Sequence, residues 1–582
     1  MQARWTDIPK PPEGSKDLAR ALHISEITAG LLMDRGLDTP EAANAFLNPS
    51  LAQLAAWPPS SILGMEKATA RMVSAIQHGE PILICGDYDA DGITATAVLA
   101  SFLMQAGARV HWHLPHRVDH GYGFHVSQIT EQAIPLGARL IVTVDCGCTA
   151  FEAVEEAGKH GIDVIITDHH TTGDELPKAF AIINPKQPGC SSGLESLAGV
   201  GLSFYLAASV RTALEQSGHP GAPPKAAIKS LCDLVALGTI ADIVPLTKAN
   251  RVLTQTGLDV INGAPRPGIS ALLSAAKANK EQVDAEDVAF RLAPRLNAAG
   301  RMTSPDEGLH LMLANTLTAA SPMAKSLCTL NSHRQDEEKR IFEEIATYIE
   351  ETPALLTRNA LVLAKKGWHP GVLGIVASRV VREYGKPTFV ISVNEKGIGK
   401  GSGRSVPGVN LYEALAAASQ ELEKFGGHHQ AAGLQLKDDR IPFFHKLLEA
   451  HLAETTNEED YDIRITPDAE LPLSEISPEL INELEQLAPF GEGNREPLFM
   501  AEDIRVLSSS VVGKSHRRYL LEVKGSTRFS KVMAIRFNHA PEDAETRIEK
   551  LLYSLRWNRW NGSKSPQLLI HDMVARPAGP TV

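Results

Sequence analysis

Between Ile62 and Leu246, short apolar runs alternate with stretches whose apolar residues recur at helical spacing. The runs Ile82–Cys85, Arg109–Leu114, Leu140–Asp145, Asp163–Thr167 and Phe180–Ile183 read as strands, with helices such as Ile93–Ala106 and Phe151–His160 between them. Strands that alternate with helices make βαβ units and a mainly parallel sheet. From Pro322 to Glu351 the period is helical throughout, with apolar Leu327, Leu330, Ile341 and Ile345, which predicts a long connecting helix. A second α/β pattern covers about 355–455. The last 120 or so residues change to two-residue alternation (Phe499–Ser508, Arg518–Lys524, Lys531–Phe537, Ser565–Ile570), which predicts a small β-barrel. Near the N-terminus, Thr39-Pro40-Glu41 predicts a helix start, with Thr39 as cap and Pro40 in the first turn. The expected division is 1–55 (helical), 56–321, 322–352 (connecting helix), 353–458 and 459–582, in an α/β protein with a C-terminal barrel.

Composition narrows the class only a little. The chain has 582 residues, 43% hydrophobic and 22% charged, as in ordinary globular proteins. A net charge of −12 excludes a globally cationic nucleic-acid coat but not a local basic groove. The best membrane-span candidate, Leu231–Leu246, is broken by Asp233 and Asp242, and the first residues lack the apolar core of a signal peptide. Six cysteines show no zinc or disulfide spacing, so reduced thiols and a cytoplasmic location are expected. Nothing in the sequence demands a partner copy, so a monomer is expected.

The chemistry lies where strands end. Pro81–Gly86 runs into Asp87, Asp89 and Asp91; Leu140–Val144 into Asp145; Asp163–Thr167 into Asp168, His169 and His170. Ligands of open α/β sheets sit outside the carboxyl ends of the strands, so these groups converge on one crevice. In a strand-like loop, Asp89 and Asp91 point the same way, ~6–7 Å apart. Asp242 is a fourth contribution, an acid inside an apolar stretch. Taken singly, Asp145 or Asp242 is more often a cap or ion-pair residue; together the groups have too many oxygens and too few partners, and a metal site is expected. Oxygen-rich ligation with an imidazole suits Mn²⁺ or Mg²⁺.

These four motifs stand in the order seen in the DHH phosphoesterase superfamily, which this chain resembles. The resemblance implies two divalent cations: one held by Asp89 and Asp145, the other by Asp91, Asp145, His169 and Asp242, with Asp145 bridging. It places Asp87, Asp168 and His170 among the catalytic groups, Asp168 orienting a histidine and His170 acting on the scissile phosphate. A role for His170 as a hydrogen-bonding residue behind the ligands, with no proton transfer, fits the same residues. Cys85 falls where several relatives have a histidine ligand, four residues before Asp89.

Further motifs carry a narrower resemblance. Pro294-Arg295-Leu296-Asn297-Ala298-Ala299-Gly300-Arg301-Met302, the glycine-rich loop Gly401-Ser402-Gly403-Arg404-Ser405, Gly426-Gly427-His428-His429-Gln430-Ala431-Ala432-Gly433, and Leu487–Asn494 resemble the bacterial RecJ family of single-strand-specific 5′→3′ DNA exonucleases. Arg495 departs from it, where a proline is usual. The resemblance implies a DHH phosphoesterase domain, a DHH-associated domain and a C-terminal OB-fold. It implies a pocket for a 5′-phosphate made by Arg117, Ser402 and Arg404. It also implies contacts to the single strand from Arg295, Asn297, Arg301 and His428, and the release of mononucleotides in recombination and repair. A single-strand-binding protein and a RecQ-type helicase are the protein partners it suggests. In the barrel, Lys514, Arg517, Arg518, Lys524, Arg528 and Lys531 lie near Tyr519, Trp557 and Trp560. Cations interleaved with aromatics suit single strands, although core aromatics and a solvated charged face fit as well. Two rivals are another DHH phosphodiesterase (nanoRNase or cyclic-dinucleotide type), against which the barrel counts, and a non-catalytic scaffold, against which the intact ligand set counts.

Overall fold

The structure, a computed structural model, describes residues 4–116, 123–278, 281–462, 464–513, 515–525, 528–538, 546–560 and 562–576. The side chains of Trp560 and Arg576 are also outside the described set. The chain divides into two compact units, Leu54–Ile463 and Ala3–Gln53 with Arg464–Val582. Among the described residues no helix is long and apolar enough to cross a membrane, and all six cysteines are free.

In the first unit a parallel five-stranded sheet is ordered Arg109–His113, Pro81–Gly86, Leu140–Val144, Asp163–Thr167, Ala181–Ile183. Its three central strands are buried on both faces, which explains the unbroken apolar runs Ile82–Ile84 and Leu140–Val142, whereas the edge strand Arg109–His113 is partly exposed. The chain leaves Pro81–Gly86 for one neighbour and returns to the other, so the direction of winding reverses between Pro81–Gly86 and Leu140–Val144. Loops on either side of such a switch point diverge and leave a crevice.

The helix Leu317–Glu351 begins five residues before the position expected at Pro322. Thr316 caps it by accepting from Ala319 N–H at 3.2 Å, and Pro322 lies inside. The misplacement has a simple cause: proline is commonest in a first turn but is tolerated where the next turns are packed. At 35 residues the helix spans about 52 Å. Its far end joins a second sheet, ordered Lys424–Gly427, Ala431–Lys437, Ile398–Arg404, Thr388–Val393, Leu361–Lys366, with only the last pair parallel. There Glu344 accepts from Trp368 Nε1 (2.9 Å), Lys365 Nζ (2.9 Å) and Arg340 Nη1 (2.7 Å). The Gly399–Ser405 stretch, expected as a loop, is mostly strand: Gly399, Gly401 and Gly403 pack under Ile391, Leu434 and Phe389, where a Cβ would meet those side chains within 3 Å.

In the second unit five strands close a barrel: Phe499–Val512, His516–Glu522, Lys531–Arg536, Ser563–Arg576 and Arg547–Trp560, the last pairing back to the first. Arg547–Trp560 carries no clean alternation and was not foreseen as a strand. Tyr519 is wholly buried, so it is a core residue and offers no stacking surface. The helices Ser15–Leu22, Glu26–Met33 and Pro40–Leu47 share this barrel's core through Leu18, Leu31 and Leu32 beside Leu480 and Ile481. Thr39 caps the third helix as expected. Glu483 fastens the second, taking Ser25 N–H (2.9 Å), Ser25 Oγ (2.6 Å) and Thr28 Oγ1 (2.7 Å).

Glu483→Ala leaves those three donors without their charged acceptor, a loss of about 1–3 kcal/mol. Limited proteolysis should then cut within residues 15–47 earlier than in the wild type, while the pattern for the first unit is unchanged. An identical time course for 15–47 would show that the contact does not hold this segment.

Candidate metal centre

The site is assembled from the loops after three neighbouring strands and one helix end. After Gly86 the chain turns within three residues into the helix Ala90–Gln105, so Asp89 is its N-cap, accepting from Asp91 N–H (3.0 Å) and Gly92 N–H (3.1 Å). Asp91 lies in the first helical turn; the two carboxylates are not spaced along an extended loop, as the alternation had suggested. Asp145 takes a left-handed conformation, φ +62°, uncommon for a side chain with a Cβ and typical of strain kept at functional sites. Asp242 is the C-cap of the helix Cys232–Ala241.

Among the described residues, three groups bring candidate ligand atoms within 4.8 Å of one another: Asp87, Asp89 and Asp145; Asp91, His169 and Asp242; Asp145, His169 and His170. Asp145 belongs to two of them. His169 Nε2 stands 3.1 Å from Asp145 Oδ1, 3.5 Å from Asp242 Oδ2 and 3.9 Å from Asp91 Oδ2. Both ring nitrogens of His169 are buried without a hydrogen bond among the described residues. Burial, then the charge of His170, lowers its pKa to about 3, so the ring is neutral and keeps a lone pair. Asp91 is raised to about 7 by burial and by Asp89, and Asp242 to about 9 by burial, Asp91 and Asp89. Burial and the charges of Asp91 and Asp89 push Asp145 up as well. Carboxylates crowded around a neutral imidazole are what cations restore to the ionised state, and this donor set fits hard divalent ions.

Asp168 differs from its neighbours. Burial would raise its pKa, but hydrogen bonds from His170 and the charge of that ring hold it at about 2. It accepts from Cys148 N–H (2.9 Å), His170 N–H (3.0 Å) and His170 Nδ1 (2.8 Å). His170 is thereby fixed with part of its ring exposed, and Asp168 counteracts the lowering of its pKa by burial. Cys85 is buried in the core beside Leu83 and Ile141, its thiol pushed up by burial, and it belongs to none of the three groups.

Several positioning residues were not legible beforehand. Gly199 and Val200 open the helix Gly199–Gln216 and donate to Asp91 at 2.7 and 3.0 Å. A Cβ on Gly199 would come 2.6 Å from the Asp145 carboxylate, and one on Gly238 2.8 Å from Asp91. Buried Asn184 donates to His170 O (2.9 Å) and accepts from Lys186 N–H (2.8 Å). The Gly-Val-Gly at 199–201 and the Asn-Pro just past a strand were the available signals.

Other expected residues are placed as follows. Asn297, in the helix Ala293–Met302, accepts from Ala90 N–H at 2.8 Å and so holds the aspartate loop. Arg301 donates to Gly371 O (3.1 Å) and Arg295 to Cys328 Sγ (3.2 Å). Ser402 and Arg404 face the first turn of the helix Leu373–Tyr384, where a Cβ on Gly374 would lie 2.9 Å from Arg404 Nη2 and 3.0 Å from Ser402 Oγ. His428 is exposed in the turn after Lys424–Gly427. Arg117 lies outside the described residues, as does the Trp560 side chain. Trp557 is half-buried, donating to Asn482 (2.9 Å) with Lys564 Nζ 4.3 Å from its ring centre.

A parallel sheet whose strand ends gather five carboxylates and two imidazoles is the arrangement expected of the DHH class of phosphoesterases that the motif order resembles. Family comparisons agree: the DHH family N-terminal domain matches residues 81–239, the DHHA1 domain 357–454 and the RecJ OB domain 467–572. The single-stranded-DNA-specific exonuclease RecJ of Bacillus subtilis is 36% identical over 98% of this chain and 70% of its own length. That of Escherichia coli is 36% identical over 89% of this chain and 91% of its own. The crystal structure of Thermus thermophilus RecJ in complex with Mn²⁺ superposes with a TM-score of 0.81 at 30% identity, covering 99% of this chain and 80% of that one. The chain belongs to the RecJ family.

Removing divalent cations should lower the unfolding temperature by several degrees, since a cation present at 100 times its Kd adds about 2.7 kcal/mol. Asp242→Asn, which removes a carboxyl that burial and its acidic neighbours force to take up a proton on folding, should do the opposite in chelator and abolish most of the cation-dependent increase. A chelator-insensitive melting temperature in the wild type would mean that no cation is held here.

Proposed function

We infer that this protein is a metal-dependent single-stranded-DNA-specific exonuclease that hydrolyses phosphodiester bonds from the 5′ end. The observation that carries the reading is His169: a buried neutral imidazole whose Nε2 faces three carboxylates without a hydrogen bond to any. The barrel matched at 467–572 counts against a nanoRNase or cyclic-dinucleotide phosphodiesterase, which needs none, and the gathered carboxylates count against a scaffold that has lost its ligands.

In this reading Asp89 and Asp145 hold one cation, with Asp87 beside them, and Asp91, Asp145, His169 and Asp242 hold the other; the grouping of Asp87, Asp89 and Asp145, that of Asp91, His169 and Asp242, and the 3.1 Å from His169 to Asp145 support it. When bound, such ions supply Lewis-acid activation of water and neutralise charge on the phosphoryl oxygens. The chain's own residues prepare the rest. Asp168 fixes the His170 ring by Nδ1 and raises its pKa against the effect of burial, so that the protonated ring can donate its other N–H to a phosphate oxygen. The amides of Gly199 and Val200 keep Asp91 aimed at the site, and Asn297 does the same for the loop that carries it. Direction comes from a separate pocket: Ser402 and Arg404, facing the first turn of the helix Leu373–Tyr384, form a seat for a terminal phosphate, and the family resemblance assigns Arg117 to the same role. Arg295, Arg301 and His428 steady the strand, and half-buried Trp557 offers it a stacking surface in the barrel, a role the sequence pattern also assigns to Trp560. A monomeric protein working in a reducing cytoplasm beside a single-strand-binding protein and a RecQ-type helicase completes the reading; the family resemblance supports those partners, and six free cysteines fit the location.

Asp145→Ala should cut the rate by more than ~10³-fold while single-strand binding persists, because the one carboxylate shared by two groups is gone. Activity within about tenfold of wild type, ~1.4 kcal/mol, would refute the assignment.

Arg404→Ala should cost about 1.5–3 kcal/mol on 5′-phosphorylated strands and little on 5′-hydroxyl strands, since a terminal phosphate offers more charge and free oxygens to the guanidinium. Single-turnover rates on both substrates form a double cycle. Equal losses would move Arg404 from end recognition to the internal backbone.

A further inference from the structure

The residue after Asp242 is built in a way that ending a helix does not explain. Ile243 donates its N–H to Ile240 O (3.3 Å) at φ +58°, and its side chain is 71% exposed. In the left-handed region a Cβ crowds the next carbonyl, a β-branched residue is an outlier, and glycine is the usual occupant of this position. Leaving an isoleucine in water also forfeits its apolar burial. The loop is not slack. Asn250, 1% exposed, donates to Pro245 O (2.9 Å), two residues past Ile243, and to Ser196 O (2.6 Å), and so ties the segment to the loop before the helix Gly199–Gln216. A strained, exposed, apolar side chain is thus held rigidly, the pattern of strain kept for a purpose.

Its place says what it would meet. Asp242 Oδ2 is 3.5 Å from His169 Nε2, and consecutive Cα atoms are about 3.8 Å apart, so Ile243 borders the cation groups. A phosphodiester seated there presents its phosphate to the carboxylate-held ions and its sugars to the rim. The first apolar surface outward from a phosphate is the deoxyribose, whose C2′ is a methylene in DNA and carries a hydroxyl in RNA. We propose that Ile243 packs against the deoxyribose beside the scissile phosphate and is a determinant of selection against a 2′-hydroxyl. This rests on the exonuclease reading above and adds to it a residue that chooses the sugar. A hydroxyl pressed on the isoleucine loses water and finds no partner. An apolar contact rejects an added hydroxyl by at most about 10²-fold, and an open rim by less, about five- to thirtyfold.

The test uses the full chain and 5′-phosphorylated single strands, all-deoxy or with one ribonucleotide at the first or second position. Single-turnover rates are compared for the wild type, Ile243→Gly, Ile243→Asn and Ile243→Leu. The wild type should prefer deoxyribose at one of the two positions by about five- to thirtyfold. The glycine and asparagine variants should lose most of that preference, and leucine should keep it. The melting temperature of Ile243→Gly should equal or exceed that of the wild type, because the strain is relieved, so a lost preference cannot be ascribed to unfolding. A wild type that does not digest the all-deoxy strand would remove the exonuclease reading and this inference with it. A wild type that digests it without a sugar preference at either position, or with one that all three variants retain, overturns the inference alone.

Discussion

Like-charge repulsion among buried carboxylates is the constraint on which the first unit depends. Asp91 and Asp145 are almost wholly buried, with Asp89 and Asp242 beside them. No arrangement of that kind is stable by itself, since each anion raises the proton affinity of the next. The fold answers with fixed dipoles. The helix Gly199–Gln216 aims its first amides at Asp91, the cap at Asp89 engages two more, and the loop carrying both is tied to Asn297. What these dipoles leave uncompensated is the charge that divalent ions neutralise. Folding and ion binding are therefore two parts of one balance.

Close approach is the second requirement, and glycine meets it in three places. Gly199 lets a helix end touch Asp145, Gly238 lets the Asp242 helix touch Asp91, and Gly374 admits Arg404 and Ser402 to another helix end. In each case a single methyl group would intrude on a charged group. The carboxylate centre and the Ser402–Arg404 pair belong to one unit, linked by the long helix, by Glu344 to Trp368 and Lys365, and by Arg301 to the Gly371 carbonyl.

Much of this was legible in the order of residues. Parallel strands buried on both faces must read as unbroken apolar runs, and functional loops of open sheets follow their carboxyl ends, so Asp87–Asp91, Asp145 and Asp168–His170 identified themselves by position. Thr39 as a cap followed from local chemistry alone. Where local rules misled, a tertiary contact had overruled them. Pro322 sits inside a helix because the turns around it are packed, and the glycines at 399–403 form a strand because large side chains cover them.

The sequence by itself determined the class of fold, the set of ionisable groups and their family, because periodicity and motif spacing are properties of neighbours along the chain. Only the tertiary structure decided which groups meet. It put Asp145 in two ligand groups, used Asn297 and Gly199 to position carboxylates, and buried Cys85 in the core and Tyr519 in the barrel. It also joined residues 15–47 to a barrel more than four hundred positions away and left Ile243 strained at the rim of the site. Those outcomes rest on hydrogen bonds and packing between segments distant in sequence, and nothing in the local pattern of polar and apolar residues encodes which distant partner a side chain will find.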